Sequence, residues 1–246
     1  MDQIVDLDLL QRFDPLALSP LIENQDYFYY FIKRAMDLIL TIILLILFFP
    51  IMILIAILIA IDSRGPIIFC QKRIGAQRWV RSGFSYWQRT EFTCYKFRTM
   101  FHNADPSLHQ DFVTAFVTGH IEQSNKTETT FKLHEDPRVT RVGRVLRKTS
   151  LDELPQFINI LRGEMSLVGP RPDVPYAVKH YQTWQNERLA ALPGLTGLWQ
   201  TTARSNVAFD EMARLDIEYI RNHSFLMDLK ILLLTLPAVL SGKGAC

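Results

Sequence analysis

The sequence predicts an α+β protein held on one face of a membrane: a monotopic chain with a re-entrant N-terminal helix, a small globular domain and amphipathic interfacial helices. Three observations carry that expectation. Leu38 to Ile61 is a run of 24 residues interrupted only by Thr41 and Pro50. Two segments rich in β-branched and aromatic residues follow it. Helical patterns with an apolar face occupy the C-terminal part.

Ahead of the apolar run, residues 1–32 form an acidic tail in which Asp2, Asp6, Asp8, Asp14, Glu23 and Asp26 face one base, Arg12. The net charge of +2 therefore hides a basic body, where 26 Lys and Arg stand against 19 acids. A basic body suits anionic partners such as phospholipid headgroups or sugar nucleotides. A length of 246 residues gives room for one compact domain with accessory elements. Cys70, Cys94 and Cys246 are scattered, with no CxxC pair, and the six histidines form no HxxxH pair. That spacing argues against a zinc site or a disulfide framework and fits reduced thiols in a cytoplasmic setting.

As a straight helix, Leu38–Ile61 would be roughly 36 Å long, enough to cross a hydrocarbon core of about 30 Å. It starts too late and runs too long for a signal peptide. Lys33 and Arg34 precede it, and Arg64, Lys72 and Arg73 follow. Bases at both ends fit best if both ends face the cytoplasm. Pro50, near the midpoint, removes a helix hydrogen bond and invites a kink. The expectation is two half-helices that enter and leave one leaflet, with a kinked spanning helix as the alternative.

Beyond the membrane segment, "GPIIFCQKRIG" and "EFTCYKFRTM" read as strands, and "AQRWVRSGFSYWQRT" between them reads as a turn-rich connection. Residues 101–134 carry His102, His109, His120 and His134 and read as a partly helical insertion. Phe209 to Asn222 has the pattern of a helix with a charged outer face. "FLMDLKILLLTLPAVL" is a further apolar helix, either interfacial or core.

"RKTSLDELPQF", residues 147–157, sets Asp152 beside Glu153. One reading is structural: Ser150-Leu-Asp-Glu153 matches a capping box, and Asp152 suits an N-cap ahead of Pro155. The neighbours favour chemistry. "DPRVTRVGRVLRK" supplies Arg138, Arg141, Arg144, Arg147 and Lys148 with no acid after Asp136. Spacing by three gathers several of these bases on one helical face, and the run leads to a helix start, a common phosphate site. Arg171 lies between Pro170 and Pro172, which restrict the backbone and pre-position a guanidinium fork that matches phosphate oxygens.

These features point to diphosphate chemistry with a divalent metal. One carboxylate would hold Mg²⁺, and the other, kept ionised by nearby cations, would attack phosphorus. Lys96 and Arg98 in "YKFRTM" share a strand face that is either a phosphate contact or solvated. Trp199 reads as core, and Gln200 and Arg204 as candidate nucleotide contacts.

With these residues in place, the chain resembles bacterial sugar transferases of the monotopic phosphoglycosyl transferase family, from about Phe31 to its C-terminus. The resemblance rests on "KRAMDLIL", "DSRGPIIFCQKRIG", "YKFRTM", "DPRVTRVGRVLRKTSLDELPQFINILRGEMSLVGPRP", "LPGLTGLWQ" and "DIEYIRNHSFLMDLKILLLT", in that order. "GLTGLWQ" and "SFLMDLKILL" are most similar to the exopolysaccharide branch, whose donors are UDP-hexoses.

The resemblance implies transfer of a phosphosugar from a UDP-sugar to undecaprenyl phosphate, with release of UMP, through a phosphosugar held covalently on an aspartate. It implies Asp152 as nucleophile and Glu153 as the Mg²⁺-binding carboxylate, with Asp152 beside it at the metal. Arg147 takes the position flanking the acid pair, and Arg171 that of the Pro-Arg-Pro motif; Lys96, Arg98 and Arg138 join them as candidate phosphate contacts. The implied layout is a re-entrant helix at 33–62, a catalytic domain at 63–224 with 101–134 as a variable insertion, and an apolar C-terminal helix and tail at 225–246. The implied place is the cytoplasmic face of the bacterial inner membrane, with membrane lipid as a further partner and a homo-oligomer left open. A nucleic-acid partner is not expected, since the basic run lacks interleaved aromatics.

Two positions depart from the family pattern. Phe49 precedes Pro50 where the family usually has a serine, whose hydroxyl would satisfy a backbone group freed at the break. Ala203 replaces a glycine in Gln200-Thr-Thr-Ala-Arg204, which bears on backbone approach to a nucleotide. The extra domains of larger relatives are not expected, leaving a minimal catalytic form. Two competing functions are a membrane phosphohydrolase or nucleotidyl transferase, and a membrane scaffold in which the acids only cap a helix.

Overall fold

The computed structural model describes residues 18, 22–23, 27–81, 84–119, 136–203 and 207–241. Most of the acidic tail, part of the 101–134 insertion, Arg204 and Cys246 lie outside the described residues.

The apolar run becomes the core of α1 (Tyr27–Asp62), a 36-residue helix. The helix continues through Pro50 as one element, where the sequence suggested two halves. Proline deletes one backbone donor, and the helix resumes on its far side. Ile42, Ile46, Phe49, Ile53, Ile57 and Ile61 are exposed along α1. Leu44, Phe48, Met52, Ile55 and Ile59 pack on the main core.

Both ends of α1 are fastened to the same globular body. Near the N-terminal end, Lys33 Nζ donates to Asp228 Oδ2 at 2.8 Å, and Arg34 donates to the carbonyls of Ile160 and Leu161 at 2.6 and 2.9 Å. Asp37 Oδ1 accepts from the Leu167 amide at 3.0 Å. At the far end, Asp62 Oδ2 accepts from the Val142 amide at 3.0 Å. There Arg98 also donates to Ile59 O (3.3 Å), Ser63 O (2.5 Å) and Ser63 Oγ (3.0 Å), satisfying carbonyls that a helix C-terminus leaves free.

β2 (Ile68–Arg81) and β3 (Phe84–Phe97) form an antiparallel hairpin, with Ile68 opposite Phe97 and Arg81 opposite Phe84; β1 (Ile22–Glu23) pairs with β3 on its other side. The stretch expected as a turn-rich connection is the outer half of this hairpin. Cross-strand pairs such as Trp79 with Tyr86 and Arg78 with Trp87 extend the ladder where sequence reading saw irregularity.

The rest of the body is mostly short elements. α2 (Ser107–Val117) is the described helix of the insertion, and α3 (Arg141–Thr149) carries the basic run. A 3-10 turn (Leu151–Gln156) then leads into α4 (Phe157–Arg162). β4 (Ser166–Val168) pairs in parallel with β5 (Gly194–Thr196), and between them lie α5 (Pro175–Val178) and a second 3-10 turn (Thr183–Leu189). α6 (Leu198–Thr202), α7 (Phe209–Asn222) and α8 (Phe225–Ser241) complete the chain. The expected helix at Phe209–Asn222 is present with those bounds.

Gly143 fixes the seat of α3: a Cβ there would lie 2.0 Å from Thr99 O, so only glycine allows the helix to meet the end of the hairpin. α8 buries Asp228 and Ile231 and exposes Leu226, Leu229, Leu233 and Leu236. Asp228 also accepts from the hydroxyls of Tyr29 at 2.9 Å and Tyr219 at 2.7 Å. Asp228→Ala should therefore destabilise the protein by about 3–5 kcal/mol, the usual cost of stranding a buried charge. Thermal melting in detergent checks this, and the double change Lys33→Met with Asp228→Leu should recover most of the loss.

Candidate active site

Asp152 and Glu153 lie on the 3-10 turn that follows α3. The chain enters this turn through Ser150, whose φ of 56° and ψ of 15° make it the left-handed C-cap of α3. The expected capping box does not form, because Ser150 makes no side-chain cap bond and Asp152 sits inside the turn. A left-handed cap ends one helix, and the Glu153 amide that the box would give to the serine hydroxyl donates instead to the Ser150 carbonyl at 3.2 Å. With three residues per turn, neighbours on a 3-10 segment point about 120° apart, so the two carboxylates face different surroundings. The six-residue turn is too short to offer the helix N-terminus that the sequence suggested for phosphate.

Glu153 is clamped. Lys96 Nζ on β3 donates to its Oε1 at 2.6 Å, and Arg171 Nη2, from the loop after β4, donates to the same oxygen at 3.0 Å. Burial alone would raise the Glu153 pKa, but the two bonded cations outweigh it and hold this carboxyl well below the usual range. Asp152 differs. Burial raises its pKa and the neighbouring Glu153 charge adds to that rise, against the opposing pull of Lys96, Arg147 and Arg171. One turn thus presents a firmly ionised carboxylate and a more basic one, a division of environments that marks acid pairs with separate tasks.

Arg171 is itself held in place by a network that sequence reading missed. Arg188, buried on the second 3-10 turn, bonds Asp173 and donates to Asp216 Oδ2 at 2.6 Å and to the Arg171 carbonyl at 3.4 Å. Tyr181 also donates to Asp173. Arg73 on β2 donates to the Pro172 carbonyl at 3.0 Å. These bonds fix the Pro-Arg-Pro backbone from both sides. No local motif announces them, because the partners lie 8 to 99 residues apart along the chain.

The other sequence candidates sort by location. Arg147, in the last turn of α3, is half-buried within electrostatic reach of Asp152. Arg138 lies before α3, and its guanidinium is occupied by Asp136 (2.7–3.1 Å) and the Asp105 carbonyl. Arg98 follows the end of β3 and is spent on α1, so only Lys96 of that pair reaches the acids. Gln200 on α6 donates to Leu195 O at 3.3 Å, and its Oε1 is buried without a partner. Arg204 lies outside the described residues. His109 on α2 shares a 2.6 Å hydrogen bond with Tyr176 on α5. Burial, with Arg73, Arg138 and Arg147 nearby, pushes its pKa down to about 4 and keeps it neutral.

The residues present suit Mg²⁺ as a substrate-completed ion. Both oxygens of Asp152 and Oε2 of Glu153 accept no hydrogen bond among the described residues. No cluster of three or more His, Cys, Asp or Glu ligands occurs there. Mg²⁺ is commonly held in this way, by one or two carboxylates with substrate phosphates and water completing the shell.

A family model for bacterial sugar transferases matches residues 28–242. The chain belongs to the bacterial sugar transferase family. The exopolysaccharide production protein ExoY of Sinorhizobium fredii is 40% identical over 213 residues, covering 87% of each chain. The galactosyl transferase CpsE of Streptococcus agalactiae is 43% identical over 182 residues, which is 74% of this chain and 36% of that one. The undecaprenyl-phosphate galactose phosphotransferase of Salmonella typhimurium is 38% identical over 215 residues, 87% of this chain and 42% of its own length. This chain thus spans most of the ExoY relative and less than half of the two larger transferases.

The opposed environments of the acid pair give a direct test. In ¹³C NMR of carboxyl-labelled protein, the Asp152 resonance, assigned with Asp152→Asn, should titrate above the ordinary aspartate value of about 3.9. Glu153 should stay ionised below the ordinary glutamate value of about 4.3, and Lys96→Met should move its titration upward.

Proposed function

We propose that this bacterial sugar transferase moves a sugar 1-phosphate from a UDP-sugar to undecaprenyl phosphate, releasing UMP, at the first membrane step of exopolysaccharide or related glycan synthesis. The observation that carries this reading is the division of the acid pair: Glu153 clamped by Lys96 and Arg171, Asp152 unbonded and more basic. The names of relatives as undecaprenyl-phosphate sugar phosphotransferases support the substrate classes.

Asp152, as nucleophile, attacks the β-phosphorus of the donor. The bond from that phosphorus to the bridging oxygen breaks, and the oxygen leaves on the α-phosphate as UMP. The enzyme then carries a sugar-phosphate diester on Asp152. In the second step a phosphate oxygen of undecaprenyl phosphate attacks the same phosphorus and frees the Asp152 carboxylate. Lys96, Arg171 and Arg147 surround this phosphorus with fixed positive charge, which offsets the charge repulsion between nucleophile and diphosphate. Mg²⁺, held by Glu153 with Asp152 beside it, would neutralise diphosphate charge when bound.

We further assign α1 as re-entrant on the cytoplasmic face of the inner membrane. Its exposed Ile and Phe face suits lipid, while both of its ends bond to one body, from Lys33, Arg34 and Asp37 at one end to Asp62 at the other. A helix spanning the bilayer would leave its N-terminal end on the opposite side from that body. The exposed leucines of α8 favour an interfacial seat beside it.

Intact-protein mass after mixing enzyme, Mg²⁺ and a panel of UDP-sugars, without lipid acceptor, tests the chemistry. Wild type should gain one sugar-phosphate increment and Asp152→Asn none; Glu153→Gln should slow turnover, with a weakened dependence on Mg²⁺. An Asp152→Asn protein that transfers sugar phosphate at the wild-type rate would sink the assignment. Single cysteines flanking residues 38–61 should be labelled only from the cytoplasmic side, and periplasmic labelling of either flank would instead establish a spanning helix.

A further inference from the structure

Among the described residues, Arg73 and Arg147 are the cations at this site that make no ion pair, and Arg73 is the one on the hairpin that carries Lys96. Lys96 and Arg171 are paired with Glu153, Arg138 with Asp136, and Arg188 with Asp173 and Asp216. Among the described residues Arg73 makes no ion pair. Its Nη1 donates to the Pro172 carbonyl at 3.0 Å and its Nη2 to Gln71 Oε1 at 2.7 Å, both neutral acceptors. Its Nε is buried and has no partner. A guanidinium in such a setting keeps its charge at a cost unless an anion arrives. Burial and the adjacent Arg171 charge both oppose its protonated form.

The hairpin register sets where that anion would lie. Arg73 pairs with Phe92, Gln71 with Cys94 and Phe69 with Lys96. Alternate residues on a strand share a face, so Arg73, Cys94 and Lys96 project on the same side. Phe69, opposite Lys96, is four residues from Arg73, about 13 Å along the strand. Cys94 is the small side chain between them, with Lys96, Arg73, Glu153 and Arg171 as its charged neighbours. The long cationic side chains thus converge over a low floor. The acid pair lies at the Lys96 end, and Arg73 marks the other. Beyond Arg73 stand uncharged hydrogen-bonding groups, the linked His109 and Tyr176, which are both within its electrostatic reach.

We propose that Arg73 binds the phosphate that departs with the nucleotide, the group one bond removed from the phosphorus that Asp152 attacks. This rests on the transferase reading above and deepens it. In the donor half-reaction the α-phosphate gains one negative charge when the bridging oxygen leaves. A preset, unpaired cation at that position stabilises charge as it develops. The guanidinium also offers the fork geometry that suits two phosphate oxygens.

The test measures binding of UMP and of uridine to the full-length protein in nanodiscs, for wild type, Arg73→Gln and Arg73→Lys. In the same preparations, discharge of preformed Asp152 adduct to undecaprenyl phosphate is timed. Arg73→Gln should weaken UMP by about 10- to 100-fold, the scale of a lost charge-assisted contact, and leave uridine unchanged. Arg73→Lys should fall between, and adduct discharge, in which Arg73 acts only by bracing the Pro172 carbonyl behind Arg171, should lose less than UMP affinity does. Unchanged UMP affinity in Arg73→Gln, with UMP release intact in wild type, overturns this inference alone. Slowed discharge with unchanged UMP affinity leaves Arg73 a bracing or acceptor-side role and overturns it equally. Wild-type protein that neither binds nor releases UMP overturns the transferase reading together with this one.

Discussion

A single carboxylate oxygen, Oε1 of Glu153, is shared by two cations that come from distant parts of the chain. Lys96 arrives on the hairpin, Arg171 on the loop that leaves β4, and the acid itself on the turn between α3 and α4. None of these segments is long enough to hold its own shape without neighbours. The shared oxygen is where they meet, and it leaves Asp152 beside it free of hydrogen bonds among the described residues. The electrostatics follow from that sharing. Two cations spent on Glu153 are pulled toward it, so burial governs Asp152 and raises its basicity.

Around this contact the fold builds an ordered series of supports. Gly143 lets α3 close on the hairpin end, and Ser150 in a left-handed conformation delivers the acids. Arg188, with Asp173 and Asp216, holds the backbone of Arg171. α1 is woven into the same body through Arg34, Asp37 and Asp62, so the membrane element and the chemical site share one core. In this arrangement the long apolar helix is part of what the site rests on.

The acid pair was legible in the sequence because adjacent Asp and Glu, a preceding basic run and Pro-Arg-Pro all lie within one 34-residue stretch, 138–171. The apolar helix was legible from composition alone. The outer hairpin was not, since glycine, serine and arginine among its aromatics look like a loop until the partner strand is known. Arg98 and Lys96 share a motif, yet the strand ends at Phe97 and sends them to different tasks. Arg73, His109 and Arg188 owe their roles to contacts across the fold, which local spacing does not encode. The capping box matched as a pattern and failed as geometry, because Ser150 serves the helix before it.

The pleat of the hairpin carries a last consequence. Strand pairing runs unbroken from Ile68–Phe97 to Arg81–Phe84, and the hairpin side chain bonded to the acid pair, Lys96, lies one residue from its root at Phe97. Past Arg73 the hairpin still rests on the body, where Ile74 N donates to Asp173 O at 2.8 Å and Ala76 and Trp87 are buried beside Ala190, and Trp79 and Val80 farther out are exposed. Symmetric lengthening or trimming at the tip would keep Arg73 opposite Phe92 and Lys96 opposite Phe69, whereas one extra residue in a single strand below the tip would turn that strand's cation to the face opposite the other's. A change of length confined to the exposed tip would therefore leave the two cations in register.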